Sequence, residues 1–254
     1  MDLTRGLKKI VKMYGERILA ATGGWVDWED PLGCGHYGCV WELWSQDPAY
    51  DEVPNLARPT GRVLKISVDP TEGPVVAAIM KTGQDKRLDG LVRWEGVWRI
   101  PAYIGSAAGR DKGWVIIREE VKPFNSFRSG HFRSSGDVYP WLRYLDKYNA
   151  SIRRFLDLKT QALKNQEFAA AEEALKALSR FEETYYVSHA IYALILEGIT
   201  LADIHEANLG GRVNPTEEQP VLEATWADQS VRAPLLIYDP GHSKAPPVEV
   251  PDLW

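Results

Sequence analysis

Leu3, Leu7, Ile10, Val11, Tyr14, Ile18 and Leu19 recur at the spacing of one helix face, and Gly23-Gly24 follows them as a stop. The pattern predicts a helix packed on the rest of the domain, because its polar positions include acids and form no large polybasic face for a membrane surface. From Trp25 to about Phe124 the period changes. Cys39-Val-Trp-Glu-Leu-Trp44 and Arg62-Val-Leu-Lys-Ile-Ser67 alternate or run apolar over strand lengths, and Gly113-Trp-Val-Ile-Ile117 is β-branched between turn residues. A short helix over about Thr71–Met80, entered by Asp69-Pro70-Thr71, interrupts these strands. Gly73 and Pro74 fall in its first turn, where proline is tolerated.

From Asp137 to about Gly198 the pattern turns to long helices. Leu145, Ile152, Phe155 and Leu156 recur at helical spacing, as do Phe168, Leu175 and Leu178. A third run, Val187, Ala190, Ile191, Leu194 and Ile195, ends at Gly198. Ala169-Ala-Ala-Glu-Glu173 is expected to be a solvated helix face, and Ala245-Pro-Pro-Val-Glu-Val-Pro251 an extended tail, because proline forbids helix there. Strands followed by helices predict an α+β fold in three segments: a helix over 1–24, a mostly β lobe over 25–124, and a mainly helical lobe over 125–254.

Composition narrows the picture without deciding it. A chain of 254 residues, 44% hydrophobic and 26% charged, suits one compact domain or two intimate lobes. A net charge of -5 argues against nucleic acid as a partner, since phosphate backbones demand excess Lys and Arg. No stretch approaches the roughly 20 apolar residues of a membrane span, and no apolar run behind Met1 suggests a signal peptide. The two cysteines, Cys34 and Cys39, form no CxxC metal pattern, and the expectation is reduced thiols in a cytoplasmic protein. The ten tryptophans and eleven tyrosines are expected in the core.

Four short stretches carry chemistry. Gly33-Cys-Gly35-His-Tyr-Gly38-Cys-Val40 is a GxGxxGxV loop followed by strand residues; glycines there let backbone N–H groups approach phosphate oxygens. Lys65 stands mid-strand among apolar residues. An ammonium there needs a carboxylate partner, for which Glu72 is the first candidate and Asp85 the second. Asp203-Ile-His205-Glu-Ala-Asn208 puts a carboxylate and an amide on one loop, one able to take a hydroxyl proton and the other to ligate Mg²⁺. Leu235-Leu-Ile-Tyr-Asp239-Pro-Gly241 ends an apolar strand on an acid suited to Mg²⁺. Each alone has an ordinary structural explanation: a hairpin turn, a lysine lying along an edge strand, or polar loop residues.

In order and approximate separation, these four motifs resemble those of the protein-kinase superfamily over about Trp25–Gly241. Within it, Arg62-Val-Leu-Lys65, Ile100-Pro-Ala-Tyr103, Asp203-x-His205-x-x-Asn208 and Asp239-Pro240 look most similar to the small serine/threonine kinases of T7-like bacteriophages. The resemblance implies a two-lobed fold, with a small antiparallel β lobe containing one helix and a reduced helical lobe. It implies ATP and Mg²⁺ as cofactors and protein hydroxyls as acceptors, on host proteins if the chain is phage-encoded. It implies Asp203 as catalytic base with His205 beside it, Lys65 on the phosphates with Glu72, and Asn208 and Asp239 on Mg²⁺. Gly33, Gly35, Gly38 and Val40 would line the nucleotide, and the backbone of Glu119 to Val121 would meet adenine.

The sequence also departs from the superfamily. Leu201-Ala202 replaces the usual His-Arg, His205 stands at a usual Lys, and only residues 242–254 follow Gly241. Without room for an activation segment, control by activation-loop phosphorylation is not expected, and the acceptor is left open. A small-molecule kinase of the aminoglycoside or choline type is the alternative, with a non-catalytic pseudokinase behind it.

Overall fold

The computed structural model describes residues 3–45, 58–100, 113–123, 140–181, 184–212, 235–241 and 243–254. Two sequence expectations lie outside these residues: the Pro101-Ala-Tyr103 part of one motif, and the start of the helical region at Asp137. The described residues form a mixed α+β protein, and the chain divides into two compact units. Unit 1 comprises Met1–Ala77, Arg93–Glu120 and Pro247–Trp254, and unit 2 comprises Ala78–Val92 and Val121–Pro246.

Unit 1 opens with α1 (Leu3–Thr22), which stops where expected. Gly23 adopts φ 68°, and its N–H bonds the carbonyl of Leu19 at 2.9 Å. Five antiparallel strands follow: β1 (Gly33–Cys34), β2 (Gly38–Trp44), β3 (Pro59–Ser67), β4 (Trp94–Ile100) and β5 (Gly113–Glu119), in spatial order β1-β2-β3-β5-β4. Strand alternation sorts their side chains by face. Leu64 and Ile66 of β3, Val115 and Ile117 of β5, and Cys39, Trp41 and Leu43 of β2 pack with Leu7, Ile10 and Ile18 of α1. Val63, Lys65 and Ser67 therefore face the other way.

Helix α2 (Glu72–Thr82) begins in unit 1, and its last residues belong to unit 2. Asp69 shapes its entry, accepting hydrogen bonds from the N–H and hydroxyl of Thr71, both at 2.8 Å. The indole of Trp114 donates to the Asp69 carbonyl at 2.7 Å and lies so close to the first turn that a Cβ on Gly73 would meet the ring at 2.2 Å. Glycine at 73 is thus what lets the helix start against the sheet.

β4 is an element that sequence patterning did not expect. In Trp94-Glu-Gly-Val-Trp-Arg-Ile100 the register against β5 shifts between Trp94 and Gly96, which breaks the alternation that would mark a strand. The tail is extended, as expected. It lies along β4 through bonds from Arg99 N–H to the Pro251 carbonyl (2.8 Å) and from Leu253 N–H to the Arg99 carbonyl (3.0 Å).

Unit 2 contains the short α3 (Gln84–Arg87) and three helices that match the periodicity: α4 (Leu142–Asp157), α5 (Gln161–Leu178) and α6 (Tyr185–Leu196). Leu145 and Ile152 of α4, Leu175 and Leu178 of α5, and Val187, Ile191 and Leu194 of α6 are all buried. Phe155 meets Phe168 at 6.3 Å between ring centroids, beside an Arg154–Glu167 ion pair at 2.9 Å. A three-stranded sheet, β6 (Val121–Pro123), β7 (Leu209–Arg212) and β8 (Leu236–Ile237), completes the unit. No described helix is long and apolar enough to cross a membrane.

Candidate functional site

Lys65 is paired with Val40 on β2 and Ile116 on β5, so it projects from the middle of the sheet on the face away from α1. Its ammonium meets Glu72 Oε1 at 2.6 Å, with side-chain exposures of 11% and 4%. The Asp69 turn and Gly73 bring the first turn of α2 to the strand, which puts a glutamate at its first position within reach of the lysine. Of the two candidate partners, Glu72 therefore pairs with it; Asp85 is buried in α3. Glu72 lies at the helix N-terminus, where the macrodipole favours its charge.

The glycines of the loop divide by cause. A Cβ at Gly38 would lie 2.3 Å from the Ile66 carbonyl, so close strand approach requires glycine there. At Gly33 and Gly35 a Cβ would meet nothing within 4 Å, and neither residue has positive φ. The fold itself does not demand glycine at 33 or 35, whereas close approach by a phosphate would. Val40 lies beside Lys65 on the same face, by their pairing.

The cysteines require a correction. Cys34 and Cys39 face each other across the β1–β2 hairpin, Cα to Cα 4.1 Å, and are joined by a disulfide; no described cysteine is free. The expectation of reduced thiols rests on the small number of cysteines and the lack of a CxxC pattern, neither of which reports which strands pair. The hairpin register makes the two positions direct neighbours. Cys39 belongs to the α1 core, so the bridge lies on the face opposite Lys65.

The segment expected to meet adenine is partly engaged already. Glu119 N–H donates to the Arg93 carbonyl (2.9 Å), Glu120 N–H donates to the Gly61 carbonyl (2.8 Å), and the Glu119 carbonyl accepts from Arg118 Nη1 (3.0 Å). Val121 pairs with Arg212 of β7. Burial, and then the nearby Glu42 carboxylate, push the Glu120 carboxyl above its usual range, while Arg118 pulls it back; burial likewise raises Glu42.

In unit 2 the remaining candidates come together. Leu209 pairs with Ile237, and Tyr238 N–H bonds the Asn208 carbonyl at 3.1 Å, so the loop ending at Asn208 and the strand leading to Asp239 are side by side. The Tyr238 hydroxyl also bonds the Ala207 carbonyl. Thr200 and Lys244 exchange backbone bonds at 2.8 and 2.9 Å, and Ser243 Oγ accepts from Ala202 N–H at 3.3 Å. These contacts fix the backbone on both sides of Asp203.

Asn208 Nδ2 donates to the Asp203 backbone carbonyl at 2.5 Å. A carbonyl can only accept, so the amide is oriented with its oxygen turned elsewhere, available as a ligand. Ala207 N–H donates to His205 Nδ1 at 3.1 Å, and His205 Nε2 lies 3.4 Å from Asn208 Nδ2 and 3.8 Å from Asp203 Oδ1. Asp239 Oδ1 accepts from Gly241 N–H at 3.3 Å across the Asp-Pro-Gly turn.

Sequence patterning did not single out Arg153. It reaches from α4 with Nη2 to Asp203 Oδ1 at 2.6 Å and Nε to the Ala202 carbonyl at 2.8 Å. An arginine on a helix fifty positions away leaves no local signal.

Among the described residues no cluster of three or more His, Cys, Asp and Glu could hold a metal. Mg²⁺ characteristically takes one or two carboxylates together with substrate phosphates and water, and Asp239 and the amide oxygen of Asn208 are donors of those types. The fold defines an α+β protein whose unit 1 carries a buried strand lysine paired to a helix glutamate. No family model matches the chain, and no curated protein matches it significantly.

Proposed function

We propose that the chain is an ATP- and Mg²⁺-dependent phosphotransferase that transfers the γ-phosphoryl group to serine or threonine hydroxyls of proteins. The observation that carries the reading is the Lys65–Glu72 pair, an ammonium held at 2.6 Å by a glutamate within a sheet face. A buried ion pair contributes little net stability compared with apolar residues of similar volume. Its presence is better accounted for by the need for an oriented cation that meets phosphate charge.

The remaining roles follow from the groups. Gly33, Gly35, Gly38 and Val40 admit the nucleotide near Lys65, and the backbone around Glu119 and Val121 is assigned to adenine. Asn208 and Asp239 would hold Mg²⁺, which when bound neutralises charge developing on the phosphates. Asp203 accepts the proton of the acceptor hydroxyl as its oxygen attacks the γ-phosphorus and the bond to the bridging oxygen breaks, releasing ADP, and His205 flanks that carboxylate. The Asn208 bond to the Asp203 carbonyl ties the metal ligand to the base, so one loop sets both.

Incubation with γ-labelled ATP and Mg²⁺, offering casein and histone beside aminoglycosides, choline and sugars, tests the reading. Label on protein serine or threonine is the expected result. Label on a small molecule alone would replace the protein acceptor with a small-molecule one, and label on nothing would overturn the phosphotransferase.

A further inference from the structure

We propose that Arg153 is the positioning residue for Asp203, supplying from α4 the orientation that the residues next to Asp203 cannot provide. The inference rests on the phosphotransferase reading. Leu201 and Ala202, which precede Asp203, are buried and have no side-chain donor. Arg153 meets the loop from outside with two donors of one planar guanidinium, Nε on the Ala202 carbonyl (2.8 Å) and Nη2 on Asp203 Oδ1 (2.6 Å). The planar fork thus fixes a backbone atom and a carboxylate atom relative to each other, which a single ammonium cannot do.

Which oxygen is engaged matters. Both Arg153 and the His205 ring lie on the Oδ1 side of Asp203. Oδ2 has no hydrogen-bond partner among the described residues, so it is the oxygen left to take a proton. Arg153, Leu156, Asp157, Ala202 and Asp203 wall an open cavity of about 560 Å³, wide enough for a hydroxyl-bearing side chain to approach the carboxylate. The arginine side chain is 53% exposed, so its removal opens no core cavity.

The test compares Arg153→Ala, Arg153→Lys and Asp203→Asn with the wild type. The readouts are single-turnover transfer from Mg²⁺–ATP to casein and histone, ATP affinity, and thermal midpoint. Arg153→Ala is expected to keep ATP affinity and midpoint, to lose about tenfold or more in transfer rate, and to recover rate when guanidinium ion is added at concentrations that do not denature it. Arg153→Lys should recover only part, since one point donor cannot span both oxygens. Wild-type transfer by Arg153→Ala, with Asp203→Asn inactive, would overturn this inference and leave the phosphotransferase standing. A loss explained by a lowered midpoint, or one that guanidinium fails to restore while Arg153→Lys is fully active, would also overturn it. Undiminished transfer by Asp203→Asn would instead sink the reading beneath it.

Discussion

Two ion pairs of equal length, 2.6 Å each, stand in opposite surroundings in the two units. In unit 1, Lys65 and Glu72 are 11% and 4% exposed; in unit 2, Arg153 and Asp203 are 53% and 20% exposed. The first pair is desolvated, so neither partner can be removed without leaving a charge in a poor medium. The second is partly exposed through its arginine, so it adds less to stability. Distance alone therefore does not rank ion pairs. Burial sets how much the removal of one partner costs, whatever the intact pair contributes.

The strongest way to break the contrast is Lys65→Met. It should abolish transfer and also destabilise the protein by about 3–5 kcal/mol, because Glu72 stays buried without its lysine. Adding Glu72→Leu should restore most of the stability and none of the transfer, as urea melts beside transfer assays would reveal. A single variant as stable as wild type would deny the pair its structural role. Asp203→Asn should do the reverse: stability within about 1 kcal/mol of wild type, unchanged nucleotide affinity, and a rate lower by about 10². Asp239→Asn should weaken Mg²⁺–nucleotide binding along with turnover, which calorimetry with and without Mg²⁺ would separate from the Asp203 effect.

A smaller effect tests burial without a partner. Tyr148 of α4 is fully buried, burial pushes its phenol far above the ordinary value, and its hydroxyl has no hydrogen-bond partner among the described residues. Tyr148→Phe should stabilise by about 1 kcal/mol by deleting an unsatisfied polar atom. A destabilised variant in urea melts would mean that the hydroxyl is satisfied.

The smallest effect is in the pH dependence. The folded-state carboxyls of Glu42 and Glu120 are raised from 4.5, so the folded chain holds protons that the unfolded chain has released. Their contribution to stability is lost as the pH rises from the unfolded value through the folded one. Glu120→Gln should raise the thermal midpoint at neutral pH and leave it nearly unchanged well below pH 4.5, where the carboxyl is protonated in both states. An equal shift at both pH values would reject charge as the cause.

The legible and illegible parts differ for physical reasons. α1, α4, α5 and α6 carry strong periodicity because each buries one face, and β3 reads as an apolar run of strand length. Lys65 and Glu72 were legible as a pair because a charge in an apolar strand demands a neighbour, and the start of the next helix is near in sequence. β4 was not, because the shift at Gly96 interrupts its alternation. The Cys34–Cys39 bridge depends on hairpin register, and Arg153 depends on how α4 packs against a loop. Both are tertiary facts with no local pattern.

The tail has a consequence for colloidal behaviour. β4 is an outermost strand of the five-stranded sheet, and residues 250–254 lie along it. Arg99 grips Asp252 at 2.5 and 2.8 Å, Leu253 enters the core of unit 1, and Trp254 stacks on Tyr14 at 5.0 Å. Bare strand edges recruit other strands. Clipping these five residues would free the backbone N–H and carbonyl of Arg99 on that edge and uncover the apolar surface under Leu253. The clipped protein should self-associate with a concentration dependence that the intact chain lacks, visible as a rising scattering intensity before any loss of secondary structure.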